Sequence, residues 1–488
     1  EKSGGAPSFA VKLNGLAVVP LEQSKGVSVI GLRDAAPPLL WRPGPGRHAF
    51  AGWMFAGRES DADQLRSNAS GIGVQAGVQV GSRRTSLVGI RPSSGPGQSL
   101  APMVAGLGGR AAIDYVTLLW PDGVLQTETA VAPGEHKVVE TQRQLSSCPV
   151  LFCYDGERFV FVTDLLGVGG LGFAVGRNEY APAVPRESVL LPAGLPRAAD
   201  GRLTLKLTEP MEEACYLDHV ELVAYDLPPG WNMTVDERMN IAGEPATGEA
   251  VFYQRKLAPT AAVNDRQENV ATMVAQADGR AADVGRRDSR FLGRTEPHSL
   301  TLTFDEALDE LPRPTLLASG WIEYPYSQTM FAAWQAGAAY EAPSVEARGG
   351  DGRWTTVLSQ FGYPAGMPRE MSVALGDLPP GCRQLRITTN QEIYWDALAV
   401  VAAEDCPTAR VASLPLDRAT VGECGFPEWT FGPQRTPQFN YDRRAPLWDT
   451  RHQSGYYTRI GRAEPLLEER DAAVAIFWTG RRDRLAVP

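Results

Sequence analysis

The strongest constraint on this chain is a strict alternation of side chains. Ile72, Val74, Ala76, Val78 and Val80 alternate with Gly73, Gln75, Gly77 and Gln79. Successive side chains of a strand point to opposite faces, so a period of two predicts a half-buried β-strand. Val116, Leu118 and Trp120 repeat the pattern. Trp120-Pro121-Asp122-Gly123 then reads as a turn, in which proline presets φ and Asp-Gly bends easily, and Val124 onward returns as the partner strand of a hairpin.

The same grammar runs through the rest of the chain. Asp155-Gly156 predicts a hairpin turn before the alternating Phe159-Val160-Phe161-Val162. Leu203, Leu205 and Leu207 predict a strand, as do Val220, Leu222 and Ala224, and later Leu300, Leu302 and Phe304. With 50 glycines and 38 prolines the chain has the punctuation that many short strands require. One helix is expected over 265–276, with Asn264 or Asp265 as its N-cap. The fold class is therefore all-β, built from sandwich or jelly-roll-like units with very little helix.

At 488 residues the chain exceeds what one core supports, and five segments follow from its pattern. Residues 1–60 are an N-terminal β segment of apolar dipeptides broken by Gly and Pro. Residues 61–140 form a first β domain and 141–315 a second. Residues 316–403 space strands around Trp321, Val345, Trp354, Met371, Leu385 and Trp395 and are similar to a galactose-binding-like jelly roll. Residues 404–488 are an aromatic-rich tail expected to wrap the other domains. The opening Glu1-Lys2-Ser3-Gly4-Gly5 lacks the apolar core of a signal peptide, so either a leader has been removed or the chain begins inside a longer precursor.

A net charge of −10 disfavours nucleic acid as a partner, because phosphates select basic surfaces. No stretch approaches the roughly 18 apolar residues of a membrane span. The six cysteines form no C-x-x-C pair. Two readings stand: disulfides, with Cys148–Cys153 and Cys406–Cys424 nearest in sequence, or buried free thiols.

Few residues suggest chemistry. Gly167 to Gly172 satisfies G-x-G-x-x-G, but the prolines that follow leave no room for the helix a dinucleotide site needs, so a Gly-rich connection is expected. The five histidines have no metal-ligand spacing, and no G-x-S-x-G nucleophile motif occurs. Glu212-Glu213 and Glu468-Glu469 are adjacent pairs, better read as solvated faces than as glycosidase carboxylates. No catalytic residue and no metal ligand is therefore assigned. Trp321, Tyr324, Trp334, Trp354 and Trp395 are the candidate ligand or interface aromatics. Such rings stack on sugars and anchor protein contacts, although filling the sandwich core is the commoner role.

The order Arg66-Ser67-Asn68-x-x-Gly71-Ile72-Gly73, a Gly/Gln-Ser loop, Gly106-Leu107-Gly108, and Asp114-x-Val116 through Trp120-Pro121-Asp122-Gly123 to Gln126 resembles the ASPIC/UnbV domain of extracellular cartilage acidic protein-like proteins. The resemblance implies a large bacterial member of that family. Its relatives carry integrin-like FG-GAP propeller repeats with D-x-D-x-D-G calcium loops. Here residues 1–60 look at most like the remnant of a blade and no such loop occurs, so calcium is not carried over and no cofactor is expected. The resemblance also implies a secreted, cell-surface or periplasmic location, and a binding or structural protein whose partner is another protein subunit or a polysaccharide. A carbohydrate-active enzyme, or one acting in a biosynthetic cluster, is the alternative, since UnbV-type proteins also occur beside enediyne biosynthesis genes.

Overall fold

The computed structural model describes residues 12–22, 26–57, 68–88, 102–121, 125–140, 149–165, 174–210, 214–239, 245–323, 325, 327–364, 367–425, 427–431, 437–444, 455–478 and 481–487. The chain forms two compact units, Glu1–Arg143 with Pro446–Arg451, and Gln144–Ala445 with His452–Pro488. Both are built almost wholly from strands, and the all-β reading holds.

In the first unit, Gly15–Glu22, Gly26–Leu32 and Leu39–Trp41 form an antiparallel meander. The alternating segment then enters a four-stranded antiparallel sheet ordered Arg83–Val88, Gln75–Val80, Ile113–Leu119, Leu125–Val131. The expected hairpin is its last pair, with Leu119 opposite Leu125; residues 122–124 of its turn lie outside the described residues. A second sheet joins Phe50–Ala56 to Gly134–Val139 in parallel and to Met103–Gly106 antiparallel. Phe50–Ala56 thus shares a sheet with strands from beyond residue 60. The inward positions of both sheets make one core, in which Trp53, Val78, Val116, Leu118 and Trp120 are almost fully buried.

The strand begins at Gln75 rather than Ile72, because Asn68 organises the residues before it. Its Nδ2 donates to the Ile72 carbonyl at 2.8 Å and its Oδ1 accepts from the Ile72 N–H at 2.7 Å. Two hydrogen bonds to one residue close a tight loop, and Ile72 is left exposed. Gly71 makes the loop possible. Its φ is +59°, and a Cβ there would stand 2.3 Å from Cβ of Phe55 and 3.0 Å from the Phe55 backbone.

The second unit contains a sandwich of two five-stranded antiparallel sheets. One is ordered Asn232–Val235, Ala250–Leu257, Ile393–Ala403, Pro314–Ile322, Arg369–Ala374; the other Ala261–Asn264, Arg294–Thr303, Gln384–Gln391, Ser344–Arg348, Trp354–Leu358. Alternate residues such as Leu316, Ala318, Leu398 and Val400 meet Leu302, Val345, Leu385 and Ile387 in the core between them. Strands from both sides of residue 316 share these sheets. The unit also holds a six-stranded sheet: Phe159–Asp164, Val150–Tyr154, Leu203–Thr208, Arg481–Val487, Arg418–Glu423, Gly461–Arg462. Three strands of this sheet, Arg481–Val487, Arg418–Glu423 and Gly461–Arg462, come from residues 404–488.

The helix expected over 265–276 is absent. Asn264 ends a strand, and its Oδ1 accepts the N–H groups of Arg266 at 3.1 Å and Glu268 at 2.9 Å. Its backbone N–H also donates to the Glu268 carbonyl, and Gln267 takes a left-handed φ of +63°. The side chain that would cap a helix instead closes a turn, and only the 3-10 turn Ala271–Met273 follows. The α-helix among the described residues is Ser327–Gln335.

The Cys406–Cys424 disulfide is not formed. Cys406 is a buried free thiol, and Cys424 directs its thiol to the Gly425 carbonyl at 3.5 Å. Cys153 is likewise a buried free thiol, and Cys148 lies outside the described residues. Burial raises the Cys153 thiol pKa to about 11, so little thiolate exists at neutral pH to react. Under native conditions at pH 8, a thiol-titrating reagent should leave Cys153 unmodified until denaturant is added, as peptide mapping would show. Gly71→Ala should destabilise the first unit by about 2–3 kcal/mol, from left-handed strain plus the clash with Phe55, measured by chemical denaturation.

Candidate binding cleft

Two sheets of the first unit each end in an edge strand, Leu125–Val131 in one and Gly134–Val139 in the other. Ala132 and Pro133 join them directly, so the two edges diverge from a common corner. The cleft there has a volume of about 200 Å³ and is lined by Trp53, Gln126, Glu128, Val131, His136, Lys137, Val138 and Val139. Parallel pairing sets His136 opposite Trp53, which brings together residues far apart in sequence.

A relay of amide and indole groups fixes one wall. Trp120 is buried, and its Nε1–H donates to Gln126 Oε1 at 2.9 Å. Gln126 Nε2 then donates to Glu128 Oε1 at 2.8 Å and to the Val139 carbonyl at 3.2 Å. That last bond ties one edge strand to the other. Phe55 meets Trp120 edge to face at 6.2 Å and holds the indole from behind. On the opposite wall His136 Nε2 lies 2.8 Å from the Ala132 carbonyl. A carbonyl only accepts, so Nε2 carries the proton and a neutral His136 keeps Nδ1 as an acceptor.

Trp53 is the exception to this satisfied network. It is 1% exposed, yet among the described residues its Nε1–H has no hydrogen-bond acceptor. A buried donor left unpaired carries a desolvation penalty of about 1–3 kcal/mol. The cleft thus sets carboxylate oxygen from Glu128, ring nitrogen from His136 and the Lys137 ammonium beside the buried Trp53 indole. That set suits a small hydroxyl-bearing group, which both accepts and donates. Among the described residues no group of three or more His, Cys, Asp or Glu is placed to hold a metal ion.

The aromatics singled out from the sequence do not gather into one platform. Trp395 stacks on Phe361 inside the sandwich core, with centroids 6.3 Å apart. Trp321 is 9% exposed and lies parallel to Tyr394 at 5.4 Å. Behind that pair, Arg287 donates to Glu392 at 2.7 Å and to the Tyr394 hydroxyl at 2.8 Å, while Tyr394 donates to Glu392 at 2.6 Å. Burial and the Glu392 carboxylate push the Tyr394 hydroxyl well above its ordinary range. Trp354 is covered by the Arg386 guanidinium at 4.4 Å, and Trp334 tilts against Phe331 on the helix Ser327–Gln335. Tyr324, together with the Gly167–Gly172 motif, falls outside the described residues. The sequence pointed to Gln126 only as the end of a motif. Glu128, His136 and Lys137 carried no signal, because a dispersed histidine on a strand looks like any surface histidine.

Replacing Gln126 with Ala should strand the buried Trp120 N–H and lower stability by about 1–3 kcal/mol. Lys137→Ala, at an exposed position, should change it by less than about 0.5 kcal/mol; paired urea titrations separate the two.

Residues 64–145 match the family described as ASPIC and UnbV, and that stretch holds every cleft residue except Trp53. No curated protein matches the chain. The order of turn, glycines, hairpin and terminal glutamine read from the sequence falls within the same stretch: the chain carries an ASPIC/UnbV domain.

Proposed function

We propose that this chain is a secreted, cell-surface or periplasmic binding protein that recognises a polysaccharide through the cleft of its ASPIC/UnbV domain. Trp53, whose buried indole N–H lacks an acceptor among the described residues, lines the same cleft as Glu128 and His136, and this juxtaposition carries the reading. A sugar hydroxyl accepts from the indole and donates to the carboxylate. Glu128 and His136 are also tied to static partners, the Gln126 amide and the Ala132 carbonyl, which suits recognition more than proton transfer. An acidic protein with this domain is in keeping with the cartilage acidic protein-like group and with an extracellular setting, and these finer assignments belong to the proposal.

A glycan array probed with the whole chain tests it. Binding to at least one glycan class is expected, and Trp53→Phe or Glu128→Gln should weaken it at least tenfold while the circular dichroism spectrum stays unchanged. A clean negative across the array, or binding indifferent to both substitutions, would sink the polysaccharide reading.

A further inference from the structure

The second unit buries a group of charges that none of the preceding functions uses. Arg369 opens the strand Arg369–Ala374 and forms ion pairs with Asp164, which ends Phe159–Asp164, and with Glu187 at 3.2 Å. The side chain of Asp164 is fully buried and that of Glu187 is 8% exposed. Next to them, Glu237 Oε2 accepts the Ser188 N–H at 2.9 Å. Gly248, with φ of +67°, lets the chain pass: a Cβ there would stand 2.7 Å from the Ser188 hydroxyl oxygen. Glu187 and Ser188 belong to residues 181–191, which have no helix or strand. Val189 and Leu191 of this segment pack on the core of the six-stranded sheet. On its other side the segment is held to the sandwich by Glu237 and Arg369.

Several charges lie on the elements that meet at Glu237. From the segment comes Glu187, from Phe159–Asp164 comes Asp164, and from the neighbouring strand come Arg369 and Glu370. Glu237's own stretch adds Asp236 and Arg238, which pair with each other. Glu370 accepts the Thr234 hydroxyl at 2.8 Å. Arg369 is thus shared by Asp164 and Glu187, and a charged Glu237 would be a third carboxylate around one guanidinium. Burial first, and then the Glu187 charge, push the Glu237 carboxyl up to about 7, against the Ser188 N–H and Arg369, which pull it down.

We propose that Glu237, Glu187, Ser188 and Arg369 form a proton-operated clasp that holds residues 181–191 against the sandwich at acidic pH and loosens above neutrality. The direction follows from linkage. The folded protein binds a proton at Glu237 up to about pH 7, whereas an unstrained glutamate releases it near 4.5. Between those values the folded state holds more protons than the unfolded one, so the clasp weakens as pH rises through this window and is weakest above it.

Hydrogen–deuterium exchange of the whole chain, followed by mass spectrometry of peptides covering 181–191 and corrected for intrinsic exchange, tests the clasp. Protection at pH 5.5 should exceed that at pH 7.5 by at least tenfold. Glu237→Gln keeps an acceptor for Ser188 without the charge and should hold high protection at both values. Glu187→Gln removes the repelling carboxylate and should move the midpoint to lower pH. Equal protection of the wild-type segment at both values would overturn the proposal, as would a pH dependence that survives Glu237→Gln. If Glu237→Gln does not fold, the midpoints of wild type and Glu187→Gln decide: a midpoint that fails to shift overturns the clasp.

Discussion

A β-sheet with one apolar face must find a cover for it, and this requirement arranges everything else in the chain. In the first unit two sheets cover each other around Trp53 and Trp120. In the sandwich the two five-stranded sheets do the same around Leu302, Leu316 and Val400. At about 25 cal/mol per Å² of buried apolar surface, covering these faces outweighs any single polar contact in the molecule. Polar groups are left to decide details: where a strand starts, which edge meets which, and where a ligand could enter.

What was readable from the sequence follows this division. Alternation at Ala76, Val78 and Val80, and again at Val116 and Leu118, announced which side chains go inside, because period two is a property of the strand itself. The start of the first strand was not readable, since it depends on both ends of the Asn68 amide reaching Ile72. The helix expected at 265–276 failed for a related reason. Asparagine caps helices and closes turns with the same atoms, and only the pairing of Ala261–Asn264 with its neighbour strand settles which. The cleft was hidden more deeply. Trp53 and His136 become neighbours only through a parallel pairing that no local pattern encodes.

The aromatics of the sandwich make the same point from the other side. Of those clustered in the sequence between Trp321 and Trp395, Trp395 meets Phe361 face to face inside the sandwich core, whereas Trp354 lies under the Arg386 guanidinium. Tyr394 lies against Trp321 with its hydroxyl held by Arg287 and Glu392, so its ring serves packing while its oxygen closes a polar triangle. Aromatic content alone could not distinguish an internal stack from an open platform. The distinction depends on which face of which strand each ring occupies.

The six-stranded sheet has a consequence for how the second unit can come into being. Arg481–Val487 lies between Leu203–Thr208 and Arg418–Glu423, hydrogen-bonded to both. Until that strand is in place the sheet exists as two fragments, each presenting an open edge. Every residue from the first strand of the sheet to this one must therefore be synthesised before the unit can close, and the long-range pairing makes closure slow. The interval leaves unpaired edges available to other chains. A cut anywhere between residues 208 and 481 would separate sequence from its partner strand, so this half of the molecule is expected to gain or lose its order as one cooperative body.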